Sequence, residues 1–581
     1  MEKIIKVEKP KQVFRAFNQT DKLVAGRLRE YLPSTLMGGA SGVLFNMVDT
    51  VVVGRLIGGN ALSAVSLANP FFVVIRMIIK MLSIGIGTCL SLNIGQNDEM
   101  RLERCKRANR LIMIYGFLFI CLSQVLIGWM IMSSYSLAAD DRSLVWAYMV
   151  SSMAGTPFYL ISAICNVDLQ VYGKMKSIAR LTIMEQIINL TGDILLVRFA
   201  GLGIAGAGLA TSIAQITRAI VTFSLLNRQT DIMKTRKVPC GHEIKAILSA
   251  GLPGAQSIGQ NALQQWILSL VMVNAVGMDG VAVKAVCSSC YNLMNIAITA
   301  VNEAMRPVAG VMYGARDYRG GRMLLKNAMK YAFLGAALFE ALFELFPGQT
   351  LALYGIAEPS VKQIAILRIF CSYFVLNAFI SPLQTYLTAT RQSRQASVLT
   401  ALNGVFVFTP VVLLLGRLLG GVHIFWAYPV NALVAACYGL YVCREASRTD
   451  RQNRNRRDDP LVCVSLRPQD GIILSQTLED YVTHLGIDRR TARHIGLVVE
   501  ELTMYIKENA PDANIDMVLK QDGNRLVLVS FSDGAPMKFP TEVQNPDIPD
   551  HSRMLALMAS TLNYRYIVGL NYLTAEFAMD R

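Results

Sequence analysis

The chain has 581 residues, of which 53% are hydrophobic and only 17% charged. Its mean hydropathy is +0.39, and soluble domains carry about 25% charged residues, so one soluble globular core is excluded. The net charge of +15 would point to nucleic acid in a soluble protein. Here Lys and Arg gather in short loops between apolar segments, the pattern of a membrane protein oriented by its basic cytoplasmic loops, and nucleic acid is excluded as a partner.

Residues 1–30 form a long, basic, polar tail with no cleavable signal peptide, so the first apolar segment is expected to stay. A bilayer core needs about 20 apolar residues per helix. Twelve segments qualify: 33–54, 62–92, 109–133, 143–166, 178–199, 204–226, 247–275, 281–310, 327–347, 363–388, 396–417 and 422–443. The second and eighth are long and contain Pro or Gly, which predicts tilt or kinking. Basic residues concentrate in the N-terminal tail and in every even-numbered loop, from Arg101, Arg104, Lys106 and Arg107 in the second to Arg391 and Arg394 in the tenth. Both termini are therefore expected in the cytoplasm. Of 11 cysteines, the one close pair is Cys287 and Cys290, inside an apolar segment, where small residues serve helix packing.

The membrane region repeats weakly. Leu32-Pro33 and Leu252-Pro253 open its halves, and Gly95-Gln96-Asn97-Asp98 recurs as Gly314-Ala315-Arg316-Asp317, at spacings of 220 (253 − 33) and 219 (314 − 95). Two six-helix halves with a cavity between them is a common transporter plan.

Ionisable residues inside spans cost about 2.5–3.5 kcal/mol each on insertion scales, so they mark function. Asp49 lies in the first span, and Asn189 and Asp193 lie four apart in the fifth, on one helix face. Thr211 follows a small-residue run in the sixth, and Asn166 ends the fourth as a cavity residue. Two carboxylates, an amide and a hydroxyl suit a hard cation or a shared proton. The bland reading puts either Asp at a solvated membrane edge and makes Thr211 a back-bonding residue. Shifting Asp49 by the repeat gives Leu268 or Ser269, and aligning Gly173 with Thr390 sends Asp193 to Pro410, so the ionisable site belongs to the first half alone.

These residues resemble a known family. Val48-Asp49-Thr50-Val51-Val52-Val53-Gly54-Arg55 and the residues to Val65 resemble the first-helix signature of MATE (multidrug and toxic compound extrusion) transporters. So do Asn189 to Asp193 followed by Gly201 to Thr211, and Met312-Tyr313-Gly314-Ala315-Arg316-Asp317. The resemblance covers residues 30–445 and implies an all-α polytopic membrane protein, twelve transmembrane helices in two pseudo-symmetric six-helix lobes (31–230 and 231–443). It implies a transporter, not an enzyme, in the bacterial inner membrane, exporting organic cations or other xenobiotics against H⁺ or Na⁺. Asp49, Asn189, Asp193 and Thr211 fall where similar members hold a cation, and Glu303 is the nearest acidic residue for the second lobe. No resident cofactor or metal is expected beyond the coupling ion.

Residues 444–459 are a basic linker suited to anionic lipid. Residues 460–581 read as a C-terminal α/β sandwich: a strand at 461–466, helices at 471–485 and 489–508, strands at 513–519 and 525–531, a helix at 552–561 and a hairpin over 564–577. Val498 to Ala510, Ser532 to Pro536 and Asn563 to Asn571 resemble the ATPase fold shared by histidine kinases and anti-sigma-factor kinases. Glu501, Asp533 and Gly534 occupy its nucleotide-site positions. The family's metal-binding Asn is Tyr505, its adenine-reading Asp is Ser532, and its phosphate loop is reduced to Pro549-Asp550-His551-Ser552-Arg553. Phosphate cradling and phosphoryl transfer need small residues and Mg²⁺, so the expectation is no kinase activity, weak or no ATP binding, and a regulatory domain that docks a cytoplasmic protein. Two other readings stand beside the exporter. One is a flippase for lipid-linked oligosaccharide, its cavity lined by cations such as Arg76, Lys80, Lys284 and Arg306. The other is a membrane-tethered signalling protein.

Overall fold

The protein is described by a computed structural model covering residues 22–57, 59–135, 139–228, 240–275, 278–354, 359–419, 421–452, 460–537 and 550–579. The first half holds α1 (Lys22–Ile57), α2 (Gly59–Gln96), α3 (Glu99–Ser133), α4 (Ala139–Met153), α5 (Thr156–Val171), α6 (Met175–Asp193) with a π turn (Ile194–Phe199), and α7 (Gly203–Asn227). The second holds α8 (Gly241–Ala275), α9 (Met278–Gly314), α10 (Tyr318–Leu345), α11 (Pro347–Leu353), α12 (Val361–Cys371), α13 (Phe374–Ala389), α14 (Ser393–Leu402), α15 (Val405–Leu418), a 3₁₀ turn (Gly421–Trp426) and α16 (Ala427–Gln452).

Each of the twelve apolar segments falls on a helix or a broken helix. Among the described residues, six are long and apolar enough on their own to cross a membrane, or seven if α4 and α5, bent by 42°, form one span. The others carry the polar cargo of the fold: α6 holds Glu185 and Asp193, and α9 holds Lys284, Glu303 and Arg306.

The repeat is physical. α2 and α9 both end in a left-handed residue, Asn97 (φ 58°) and Arg316 (φ 65°). The next residue then caps the following helix: Asp98 Oδ1 accepts from the Arg101 backbone N at 3.0 Å, and Asp317 Oδ1 from the Gly320 N at 2.8 Å. A side-chain oxygen satisfying an orphan helix N–H fixes the turn in both halves. Gly173 (φ 74°) and Arg391 (φ 60°) form a second such pair. This moves the expected alignment of Gly173 with Thr390 by one residue, so the counterpart of Asp193 is Val411 rather than Pro410, still without a charge.

The halves meet where α2 crosses α8 and α9. A Cβ at Gly85 would collide with the Ile247 carbonyl, and one at Gly251 with the Met81 carbonyl. Gly95 and Gly314 play the same part for Val311 and Leu92. Small residues let the backbones touch, as packing within a bilayer requires.

The C-terminal region holds β1 (Val462–Leu466), α17 (Gly471–His484), α18 (Arg489–Asn509), β2 (Ile515–Asp522), β3 (Arg525–Ser532), α19 (Asp550–Met558), β4 (Thr561–Ile567) and β5 (Leu570–Ala578). Every expected element is present within a few residues. The sheet is wholly antiparallel, order β1-β2-β3-β5-β4. Alternate residues serve two cores. Leu526, Leu528, Leu573 and Phe577 join a cluster with α17 and α18, whereas Val527, Val529, Phe531 and Tyr572 join the membrane region's core. A strand buried on both faces reads as a continuous apolar run, as Leu526 to Val529 does.

Three contacts hold this sheet to the first half. The Val568 N donates to the Val171 carbonyl (2.8 Å), the Tyr572 hydroxyl donates to the Gly95 carbonyl (2.9 Å), and Arg565 pairs with Glu99 (3.3 Å). The second half is held by Arg316 donating to the Gln521 carbonyl (3.4 Å) and the Cys463 thiol donating to Asp317 (3.5 Å). One sheet face therefore bridges both halves at the end where α2, α5 and α9 finish.

Candidate functional site: a polar stripe in the first half

In α6, Glu185, Asn189 and Asp193 recur every four residues and share a face. Asp193 is 1% exposed. The Asn189 amide Nδ2 donates to its Oδ2 at 3.3 Å. Asn189 Oδ1 is buried and accepts no hydrogen bond among the described residues. The helix changes to a π turn immediately after Asp193, a rare irregularity that concentrates at functional positions. Gly192 lets α7 approach at Ala210, which brings the neighbouring Thr211 alongside. The Thr211 hydroxyl donates to the Ala207 carbonyl at 3.2 Å, the back-bond of the bland reading, which leaves its oxygen lone pairs to accept or coordinate.

The Asp49 side chain lies outside the described residues. Its helix position can still be compared. Gly38 of α1 lies against Ala179 of α6. From there Asp49 is 11 residues on (49 − 38) and Asp193 is 14 (193 − 179), or about 17 and about 21 Å of rise, so the two acidic positions stand at similar depth.

Sequence reasoning missed the lower end of the stripe. Glu185 is 7% exposed and ion-paired to Arg218 of α7, whose other nitrogen donates to the Thr182 hydroxyl at 3.3 Å. The four-residue spacing to Asn189 was the available signal. Asn166 is half-buried, and its Oδ1 also lacks a hydrogen bond among the described residues.

Glu303 has a different setting. It pairs with Arg306 at 3.0 Å and with Lys80 of α2 at 3.3 Å, and it accepts from Gln170 of α5 at 3.1 Å. The cluster spans both halves, so Glu303 acts as a fastener between them rather than as a vacant carboxylate.

The MatE family profile matches residues 35–195 and 257–412, one match per half. The chain belongs to the MatE family. It is thus a multi-pass membrane transporter and not an enzyme. The multidrug export protein MepA of Staphylococcus haemolyticus is 20% identical over 416 residues, 70% of this chain and 90% of that relative. A Vibrio cholerae MATE transporter, VcmN, superposes with TM-score 0.68 at 19% identity, covering 73% of this chain and 97% of that one. A MOP-superfamily transporter from Pyrococcus furiosus, described as having a reversed-polarity binding pocket that suggests a different function, gives TM-score 0.69 at 20% identity, with coverage of 76% and 99%. These likenesses establish the MATE fold for the two halves, hereafter lobes; the C-terminal sheet lies beyond the profile.

In that sheet domain of the MATE chain, the three positions that the sequence offers for a nucleotide are engaged internally. Glu501 Oε2 meets His551 Nδ1 at 2.6 Å, and Glu508 meets Nε2 at 3.2 Å. The hydrogen bond to Glu501 raises the His551 pKa above its ordinary value. Asp533 accepts from the Asn514 backbone N (2.7 Å) and Nδ2 (2.9 Å). Gly534 has φ 117° and serves the turn. Tyr505 is 2% exposed and part of the core. Among the described residues no group of His, Cys, Asp and Glu is arranged to hold a metal.

Proposed function

We propose that the protein is a secondary antiporter that exports organic cations and other xenobiotics in exchange for H⁺ or Na⁺. The carrying observation is Asp193, buried beside Asn189 at the junction between α6 and its π turn. A carboxylate there is expensive while ionised and inexpensive once a proton or Na⁺ neutralises it. Binding the ion changes which packing of α1, α6 and α7 is favoured, and a ligand biases two states only through such a difference. Asp49, at similar depth on α1, and Thr211, beside it on α7, complete the oxygen set. Two carboxylates without many other ligands among the described residues favour H⁺. Glycine-mediated contact between α2 and α8 closes the lobes at the sheet-bearing end. The Lys80–Glu303–Arg306–Gln170 cluster opens when the lobes part.

Twelve spans, both termini in the cytoplasm and a bacterial plasma membrane complete the reading, supported by the alternation of basic loops. The C-terminal domain regulates this cycle from the cytoplasmic side: its sheet bonds to both lobes, so the lobes cannot separate at that end without releasing it. Internal pairing of Glu501 and Asp533 supports weak or no ATP binding and no kinase activity.

One observation favours a second reading. Lys80 and Arg306 outnumber Glu303 in the inter-lobe cluster, a polarity that suits an anionic headgroup better than an organic cation. The test is uptake into proteoliposomes of the full chain under an imposed proton gradient and then a sodium gradient, with ethidium as the cationic probe and an anionic dye as its competitor. Gradient-driven ethidium transport supports the antiporter. Movement of the anionic probe alone supports the second reading.

A further inference from the structure

The second lobe has no carboxylate where the first has Asp49, and what stands there is informative. The repeat carries Asp49 to Leu268 or Ser269 (49 + 219 and 49 + 220). The Lys284 ammonium reaches across from α9 to that place. It donates to the Ser269 hydroxyl oxygen and, at 2.9 Å, to the Gln265 carbonyl. The Ser269 hydroxyl proton is already committed to the same Gln265 carbonyl, at 2.8 Å. The serine oxygen can therefore only accept, and the lysine nitrogen must be the donor to both groups. Among the described residues no carboxylate pairs with Lys284.

Depth agrees with the repeat. Lys284 is six residues into α9 (284 − 278) and Ser269 six from the end of α8 (275 − 269). Asp193 is six residues from the end of its π turn (199 − 193) and Asp49 eight from the end of α1 (57 − 49). All four positions sit about 9–12 Å in from the same end of the bundle. A lysine this close to a helix end ordinarily snorkels to the membrane surface. Lys284 instead turns its charge onto the neighbouring helix, and its side chain is only partly exposed.

We propose that Lys284 is a built-in cation: its ammonium fills, in the second lobe, the place that the exchangeable ion takes in the first. The ligand class of this site is a monovalent cation with hydrogen-bond donors, supplied by the chain itself. The second lobe then holds one fixed charge state through the cycle, and ion exchange is confined to the Asp193 lobe. This rests on the antiporter reading above for its meaning in transport, but the binding claim stands on the hydrogen bonds alone.

Removing the ammonium should leave a site that the severed end of the side chain, methylammonium, can refill. The test uses the full-length chain. In detergent, methylammonium should raise the Tm of Lys284→Ala by at least about 2 °C and leave the wild type unmoved. In proteoliposomes, Lys284→Ala should transport ethidium at least about tenfold more slowly and recover with methylammonium, while Lys284→Arg stays near wild type. Ser269→Asp should raise the Tm of the otherwise intact chain, because its carboxylate meets an ammonium already in place. That variant decides the matter even if Lys284→Ala does not fold. No methylammonium shift in folded Lys284→Ala, or a lower Tm in Ser269→Asp, overturns the proposal. A wild type that moves no ethidium under either gradient defeats the antiporter reading instead, and the Tm measurements still judge this one.

Discussion

The two lobes share a backbone plan and differ in what they bury. Both have a left-handed residue closing one long helix and an aspartate capping the next. The first lobe then lines its interior with Glu185, Asn189, Asp193 and Arg218. The second packs rings, such as Phe370 against Tyr428 (4.8 Å between centroids) and Tyr373 against Tyr428 (5.4 Å), and carries Lys284 beside Ser269 and the Glu303–Arg306 pair at the seam. Duplication supplies the scaffold, and divergence of a few interior residues decides which copy can change its charge.

The largest expected effect breaks the buried Glu185–Arg218 ion pair of the first lobe. Arg218→Leu strands Glu185 in the interior, and losing one partner of a buried pair costs about 3–5 kcal/mol. Thermal unfolding in detergent should show a drop that Arg218→Leu combined with Glu185→Leu largely restores. An equal drop in both variants would mean that shape, not charge, matters there.

Next comes the seam between the lobes. Gly251→Leu has no room beside the Met81 carbonyl and should part α2 from α8. Cys89 of α2, now buried, should react several-fold faster with a water-soluble maleimide, while a leucine at Gly26, where a Cβ meets nothing, should not change it.

The smallest effect concerns the sheet that spans both lobes. Burial beside the Asp317 carboxylate pushes the Asp516 carboxyl up to about 8, with Arg319 opposing. Burial raises Asp317 as well. A raised carboxyl favours the docked, protonated form below its ordinary range, and that advantage is lost as pH rises from about 4 through about 8. Protection factors for hydrogen exchange at β2, taken relative to the intrinsic base-catalysed rate, should therefore fall between pH 6 and pH 8.5, and Asp516→Asn should flatten the dependence.

Much of this was legible in the sequence because it is local. Helix positions follow apolar runs, the caps Asp98 and Asp317 follow from turn chemistry, and β2 to β5 follow from β-branched runs. Asp193 announced itself as a carboxylate in an apolar span. What escaped is what depends on distant partners. Glu185 meets Arg218 from 33 residues away, and Lys80 meets Glu303 from 223. The apolar run from Leu526 to Val529 does signal two buried faces, but only the fold reveals that the transporter itself covers one of them. Ser269 is unremarkable until α9 brings Lys284 to it.

The central claim is that Asp193 carries the exchangeable ion. Full-length protein and its Asp193→Asn variant, reconstituted side by side, should be compared for ethidium transport driven by a proton gradient and by a sodium gradient. The account predicts that the variant folds, still binds ethidium, and loses at least about tenfold of the gradient-driven rate. A variant that exports ethidium as fast as the wild type under the same gradient would contradict it.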